Sequence, residues 1–221
     1  MTAAQRLRQP LERLYREFDY DARVELDAIR FPLRYAAPRD RELVGLLTAC
    51  LAYGRVDLFS GQLEGILARM GPSPATFVAG FDARRDASAF DDFWYRFNRP
   101  RDLVAFCIAA RDLLARFGTL EKCFLAGDTE PAGPIGPPLE RFARSFLEAD
   151  LREVFPRGRV SRGYRQAASF FFSMSSKASC RPNKTSAVVS KSACAFGSEI
   201  SLESRCARVA TSLSICFIRA T

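Results

Sequence analysis

Five polar side chains beside apolar runs are the candidates for binding chemistry in this sequence: Arg34, Tyr53, Arg55, Arg96 and Asn98. Tyr53-Gly54-Arg55 follows a long apolar run. A glycine that ends or bends a helix there would leave a guanidinium at the end of a buried element, facing a phosphate or a carboxylate. Arg34, Arg96 and Asn98 would converge on it from other segments. The plainer reading makes Tyr53 a core residue, Gly54 a C-cap and the arginines partners of nearby carboxylates, because buried polar groups are usually satisfied within a fold. That reading is preferred. Phe90, Phe93, Trp94 and Phe97 recur at helical spacing and read as core rather than as a base-stacking platform, which also needs basic neighbours in an open groove. Asn98 and Asp102 flank Pro100 and read as helix caps. Asp91-Asp92 and the pair Glu148 and Asp150 read as solvated charges.

Most catalytic constellations are excluded by composition. The chain contains no histidine, so it lacks a Ser-His-Asp or Cys-His pair, an HExxH zinc helix and an imidazole base. Its seven cysteines (Cys50, Cys107, Cys123, Cys180, Cys194, Cys206 and Cys216) include no CxxC pair, and no metal site is expected. Cys50 and Cys107 lie among apolar helix residues and read as small hydrophobes. Neither GxxxxGK[ST] nor a strand-borne GxGxxG is present, so no nucleotide cofactor is expected.

The elements that must position these side chains read as helix after helix, because the hydrophobic period stays near 3.6 through residue 165. Leu7, Leu11, Leu14, Tyr15 and Phe18 line a first helix that Pro10 starts or interrupts, with Thr2 and Gln5 as a capping box. Asp40 is the expected N-cap of a second helix, apolar on nearly every side from Leu43 to Tyr53 and therefore central. Leu58, Phe59, Leu63, Ile66, Leu67 and Met70 form a third stripe closed by Gly71, after which Ser73-Pro74 caps and starts a fourth helix. Leu103 to Phe117 makes another helix ending at Gly118, and Thr119 caps the next. Four prolines and two glycines make residues 129–138 a linker. Leu139, Phe142, Phe146, Leu147 and Leu151 mark a last helix, and Arg157 to Arg165 a basic loop.

The expected fold is all-α: one multi-helix domain over residues 1–128 and 139–165, followed by a poorly ordered tail over residues 166–221. A net charge of +8 invites a nucleic-acid reading, but the charge is unevenly placed. Residues 1–165 hold 26 Lys+Arg against 23 Asp+Glu, whereas residues 166–221 hold 7 against 2. A nearly balanced body is weak support for a broad phosphate-binding face. Serine jumps from five in the first 165 residues to 13 in the last 56, yet Phe170-Phe171-Phe172 and Ser214 to Ile218 are too apolar for a solvated segment. The tail therefore reads as degenerate or as translated out of frame, and its removal near Arg165 is expected to cost no stability. No run approaches the roughly 18 uncharged apolar residues that a spanning helix needs. The N-terminus carries no secretory pattern, so the expected location is the cytoplasm.

Several segments in order carry a family resemblance: Asp27 to Tyr35 (with Phe31-Pro32-Leu33-Arg34), Leu51-Ala52-Tyr53-Gly54-Arg55-Val56, Met70-Gly71-Pro72-Ser73-Pro74, and Tyr95-Arg96-Phe97-Asn98 with Asp102-Leu103. Together they resemble the bacterial family known as domain of unknown function 2400, over roughly residues 10 to 165. Family members usually show Pro-His-Arg where this chain has Pro32-Leu33-Arg34. The family continues with Cys-Lys-Arg-Leu-Asn, then Pro-Leu-Asp-x-His and Arg-Val-Ala. Here only Cys180-Arg181-Pro182-Asn183, Ser201 to Arg205 and Ala207 to Ala210 echo these segments.

The Asp-x-His segment is similar to that of helix-hairpin-helix DNA glycosylases, where a carboxylate stabilises positive charge on a deoxyribose. The resemblance would place Glu203 in that slot, with Arg205 replacing the histidine. A phosphate-cradling hairpin needs glycines, and Gly197 alone lies between residues 164 and 221, so activity in this chain is not expected. The functional expectation is a helical nucleic-acid-associated protein that has lost its site-bearing half. The alternative is a helical scaffold or protein-interaction module.

Overall fold

Nine consecutive residues of one helix, Asp102 to Ala110, are buried, which places that helix at the centre of the molecule. In this computed structural model, residues 3–17, 19–126 and 136–165 are described. The chain folds as α1 (Ala3–Glu17), α2 (Tyr20–Leu26), α3 (Arg30–Leu33), α4 (Pro38–Leu51), α5 (Val56–Met70), α6 (Pro74–Ala79) and α7 (Ala83–Asp86). A 3-10 turn (Ala87–Phe90), α8 (Pro100–Phe117), α9 (Leu120–Ala126) and α10 (Gly136–Leu147) follow. The fold is all-α, and no strand occurs among the described residues, where the only β-type pairing is an isolated bridge between Tyr95 and Asn98.

Two helices organise the rest. α4 packs on α3, α5, α6 and α9, while α8 packs on α6, the 3-10 turn, α9 and α10. α8 can be surrounded because it interleaves Ala105, Cys107, Ala109 and Ala110 with Leu103, Phe106, Ile108 and Leu113. The small residues let neighbours approach, and each large side chain contributes roughly 1.5–3 kcal/mol of burial. On α4, Leu43, Leu47 and Leu51 meet the same core. Gly71 and Gly118, both at positive φ, end α5 and α8 as expected. Ser73 caps α6 through the Thr76 N–H, and Thr119 accepts from Lys122 N–H at 3.0 Å.

Several details differ from the sequence reading. Asp40 does not cap its own helix, whose N-cap is Ala37. Its carboxylate instead accepts from the Ala75 N–H at 2.7 Å and from the Ser73 hydroxyl at 3.0 Å, so it caps α6 from across the fold. Pro10 lies inside α1 rather than at its edge. Leu7, Leu11 and Leu14 are 58–61% exposed, so this stripe does not join the core. Leu58 is also exposed and does not belong to the α5 core stripe. α10 begins within the expected linker, at Gly136, with Pro137 and Pro138 in its first turn, where a missing N–H costs nothing. The segment Arg157 to Arg165 is more than a basic loop, since it ends in a helical turn that buries Tyr164, whose hydroxyl donates to Phe146 O at 2.9 Å. The proposed capping residue Thr2, most of the linker and the whole tail lie outside the described residues.

The aromatic set at 90–97 is not helical. Phe90 closes the 3-10 turn and Phe93 follows it into the core, whereas Trp94 and Phe97 are 65% and 43% exposed. Spacing alone cannot tell a helix from an irregular segment whose side chains alternate between core and solvent.

Candidate functional site

The exposed half of that aromatic set sits on a tight turn. Asn98 N–H donates to Tyr95 O at 2.8 Å and Tyr95 N–H to Asn98 O at 3.3 Å, leaving Arg96 and Phe97 as a two-residue loop. Arg96 holds φ +49, the position in such loops that favours glycine. The turn is braced from beneath. The Tyr53 hydroxyl donates to Asn98 Oδ1, and the Tyr95 hydroxyl donates to Tyr53 O at 2.6 Å. Burial, with Tyr95 adding to it, pushes the Tyr53 phenol up to about 12, so it stays protonated and keeps donating at neutral pH. The Tyr53 ring stacks on Phe97 at 6.5 Å between centroids.

A second brace comes from residues 161–164, about sixty positions further along the chain. Asp102, buried in the first turn of α8, accepts from the Arg99 N–H at 2.8 Å and from the Ser161 hydroxyl. Ser161 in turn accepts from the Tyr164 N–H at 2.9 Å. Gly163 lies so close to the turn that an added Cβ would stand 2.6 Å from Phe97 O and would also collide with the Asp102 carboxylate. Gly54 is similarly pinned: its own Cβ would stand 2.7 Å from Arg96 Nη2, and its φ is +99.

On this platform arginines cover aromatic faces. The Arg99 guanidinium lies 3.5 Å from the Trp94 ring centroid, oriented by bonds to Arg96 O at 2.7 Å and Asn98 O at 2.9 Å. Arg162 lies 4.7 Å over Phe97, and Arg101 6.0 Å from the Phe155 ring. No ion pair joins Arg96, Arg99, Arg101 or Arg162 to a carboxylate among the described residues. The two contributing segments, 94–101 and 157–165, hold seven arginines and no Asp or Glu. The rest of residues 1–165 is left with 19 basic residues against 23 acidic ones. The near-neutral body therefore combines two acid-free, arginine-rich segments with a remainder that carries a slight excess of acidic residues.

Of the five candidate residues, the structure brings together Tyr53, Arg96 and Asn98. Arg34 lies elsewhere, in a bidentate pair with Glu64 at 2.7 and 2.6 Å and 4.7 Å over the Phe31 ring. Arg55 is next to Gly54 in sequence, but its guanidinium is held by Asp57 at 2.5 Å. Asn98 does not cap α8; its side chain accepts from Tyr53 instead, and Asp102 serves the N-terminus of that helix. The sequence does not single out Arg99, Arg162 or Gly163, and it places Trp94 in the core, whereas the ring is exposed because the segment that carries it is not an α-helix. The signal that would have found them is local arginine density without acids. Asp92 is paired with Arg69, and Asp150 with Arg152, which holds its carboxyl down to about 2. Burial pushes the Cys50 thiol up to about 12 and the Cys123 thiol to about 11, and Cys107 rises further, so the three free thiols remain protonated at neutral pH. Among the described residues no group of three His, Cys, Asp or Glu side chains could hold a metal ion, and no helix is long and apolar enough to cross a membrane.

The family described as protein of unknown function (DUF2400) matches residues 27–185. The chain belongs to this family. No curated protein and no solved structure matches it. The DUF2400 match begins after α1 and α2 and takes in every residue of the platform. It continues past Arg165 through Cys180-Arg181-Pro182-Asn183, so the compositional break at Arg165 is not where the likeness to DUF2400 stops. Glu203 and Arg205 lie beyond the match and outside the described residues.

Proposed function

We propose that this protein associates with nucleic acid through the surface formed by Trp94, Arg96, Phe97, Arg99 and Arg162. The observation that carries the reading is the exposed Trp94 ring with the Arg99 guanidinium, which no carboxylate neutralises among the described residues, 3.5 Å from its centroid. A stacking surface needs an accessible π face with basic neighbours, and here both occur on a turn braced by partly buried hydrogen bonds. The role is binding: the charged groups of the platform are guanidiniums, suited to phosphate contact rather than to proton transfer.

The test is binding of a labelled oligonucleotide, read by anisotropy at about 50 and 200 mM salt. Joint replacement of Arg96, Arg99 and Arg162 by alanine is expected to lower affinity at least tenfold and to flatten the salt slope by about two to three, with each phosphate contact worth about 0.7–0.9. Replacement of Arg34 and Arg55, both paired with carboxylates, is expected to leave binding unchanged. Equal effects of the two sets would sink the assignment.

A second reading, a protein-interaction module, is favoured by the exposed Leu7, Leu11 and Leu14 face of α1. It predicts no salt-dependent oligonucleotide binding, and a change of oligomeric state or partner capture when those leucines become polar.

A further inference from the structure

We infer that the ligand of this surface is an unpaired, single-stranded segment of nucleic acid, one base of which stacks on the open face of Trp94. The inference rests on the nucleic-acid reading and narrows it. Within a duplex each base face is covered by its neighbours, so an exposed indole finds a stacking partner only where bases are unpaired. Arg99 lies over the ring at 3.5 Å and the residue is still 65% exposed, so a base would stack on the face opposite Arg99. The result would be a sandwich of guanidinium, indole and base, with Arg162 over the nearby Phe97 ring and Arg96 on the same turn as cations for the flanking phosphates.

The flanking elements argue against duplex readout. Sequence reading in a duplex calls for a helix or ribbon that enters the major groove. α8, which leaves the turn directly, is buried from Asp102 to Ala110, and the turn itself is two residues long. Neither element can project into a groove. Stacking also explains why the turn is held so firmly. A ring that must present a fixed face gains from bracing by Tyr53, Asp102 and Ser161, because less freedom is lost on binding.

Trp94 is the only tryptophan in the chain, so its emission reports this site alone. The full chain would be titrated with oligo(dT) and oligo(U) of about 20 nucleotides, a length sufficient for one site, and with a duplex of equal length. Expected are quenching of Trp94 by both single strands and at least tenfold weaker binding of the duplex. Stacking is blind to the sugar, so the two single strands should bind alike; binding of one alone would identify the source. By anisotropy, Trp94→Ala should weaken single-strand binding roughly 5- to 140-fold while Trp94→Tyr retains most of it. Trp94 is exposed, so neither change endangers the fold. If the duplex binds as well as the single strands, or Trp94→Ala binds them like the parent while the arginine triple variant does not, the single-strand inference is overturned and nucleic-acid association stands. If no nucleic acid binds, both fall.

Discussion

Arg96 occupies a backbone conformation that costs a residue with a Cβ on the order of 1 kcal/mol or more, and it persists because its surroundings leave it no alternative. The two Tyr95–Asn98 bonds close the loop, the Tyr53 phenol holds Asn98, and Gly54 lies under the guanidinium. Gly163 is the complementary case. Its φ lies outside the left-handed region, so its importance is spatial: a methyl group there would press on Phe97 O and on the Asp102 carboxylate. Gly163→Ala is therefore expected to destabilise the protein by about 1–3 kcal/mol, as overpacking does. Thermal unfolding measures this, together with the shift in Trp94 emission that movement of the turn would bring. An unchanged melting temperature and unchanged emission would show that the 157–165 segment does not brace the turn.

At the scale of elements, α4 joins the fold with two acidic side chains that serve other helices. Asp40 caps α6, while Glu42 accepts from the Leu120 N–H at 2.9 Å and the Glu121 N–H at 3.4 Å at the start of α9. Burial raises the Glu42 carboxyl above its ordinary value, against the lowering effect of those two N–H bonds. A carboxyl whose folded value is raised adds stability that is complete below its unfolded value near 4.5 and is lost as pH rises through the folded value. Glu42→Gln keeps an acceptor for both N–H groups and removes the charge. The melting temperature of the variant relative to the parent should accordingly climb between about pH 4 and pH 7. A difference that stays flat or falls would contradict the burial effect. Glu64 behaves in the opposite sense: its bond to Arg34 lowers its value, so its contribution is present above 4.5 and fades as pH falls through the lowered value. Both partners of that pair are more than two-fifths exposed, which limits it to about 1 kcal/mol or less.

At the scale of the whole molecule, charge is segregated. Segments 94–101 and 157–165, which hold seven arginines and no acid, meet where Gly163 and Ser161 dock on the turn, while the remainder of the body is mildly acidic. That distribution orients the molecule toward a polyanion more strongly than the summed charge indicates. The family match bears on the tail. Because it reaches residue 185, removal of residues 186–221 should leave the melting temperature within about 2 °C, less than 1 kcal/mol for a chain of this size. A drop of about 5 °C or more would mean that residues beyond the match complete the core.

Much of the architecture could be read directly from the residues. The 3.6 period of α4, α5 and α8, the glycines that end α5 and α8, and the Ser73 and Thr119 caps are local consequences of side-chain shape and backbone chemistry, which act over a few residues. The site was legible only in part. Tyr53, Arg96 and Asn98 stood out as polar groups beside apolar runs, but Arg34 and Arg55 resembled them equally until the fold supplied Glu64 and Asp57. Nor could spacing separate Phe90 and Phe93 from Trp94 and Phe97, because the direction a side chain takes in an irregular segment depends on what packs beneath it. The sequence by itself determined the helical class of the described residues, the glycine-terminated ends of α5 and α8 and the lack of imidazole chemistry, all set by residue type and short-range periodicity. Only the tertiary structure decided which arginines are neutralised and which remain free over an exposed ring, because ion pairing and burial depend on contacts between residues as far apart as Asp102 and Ser161.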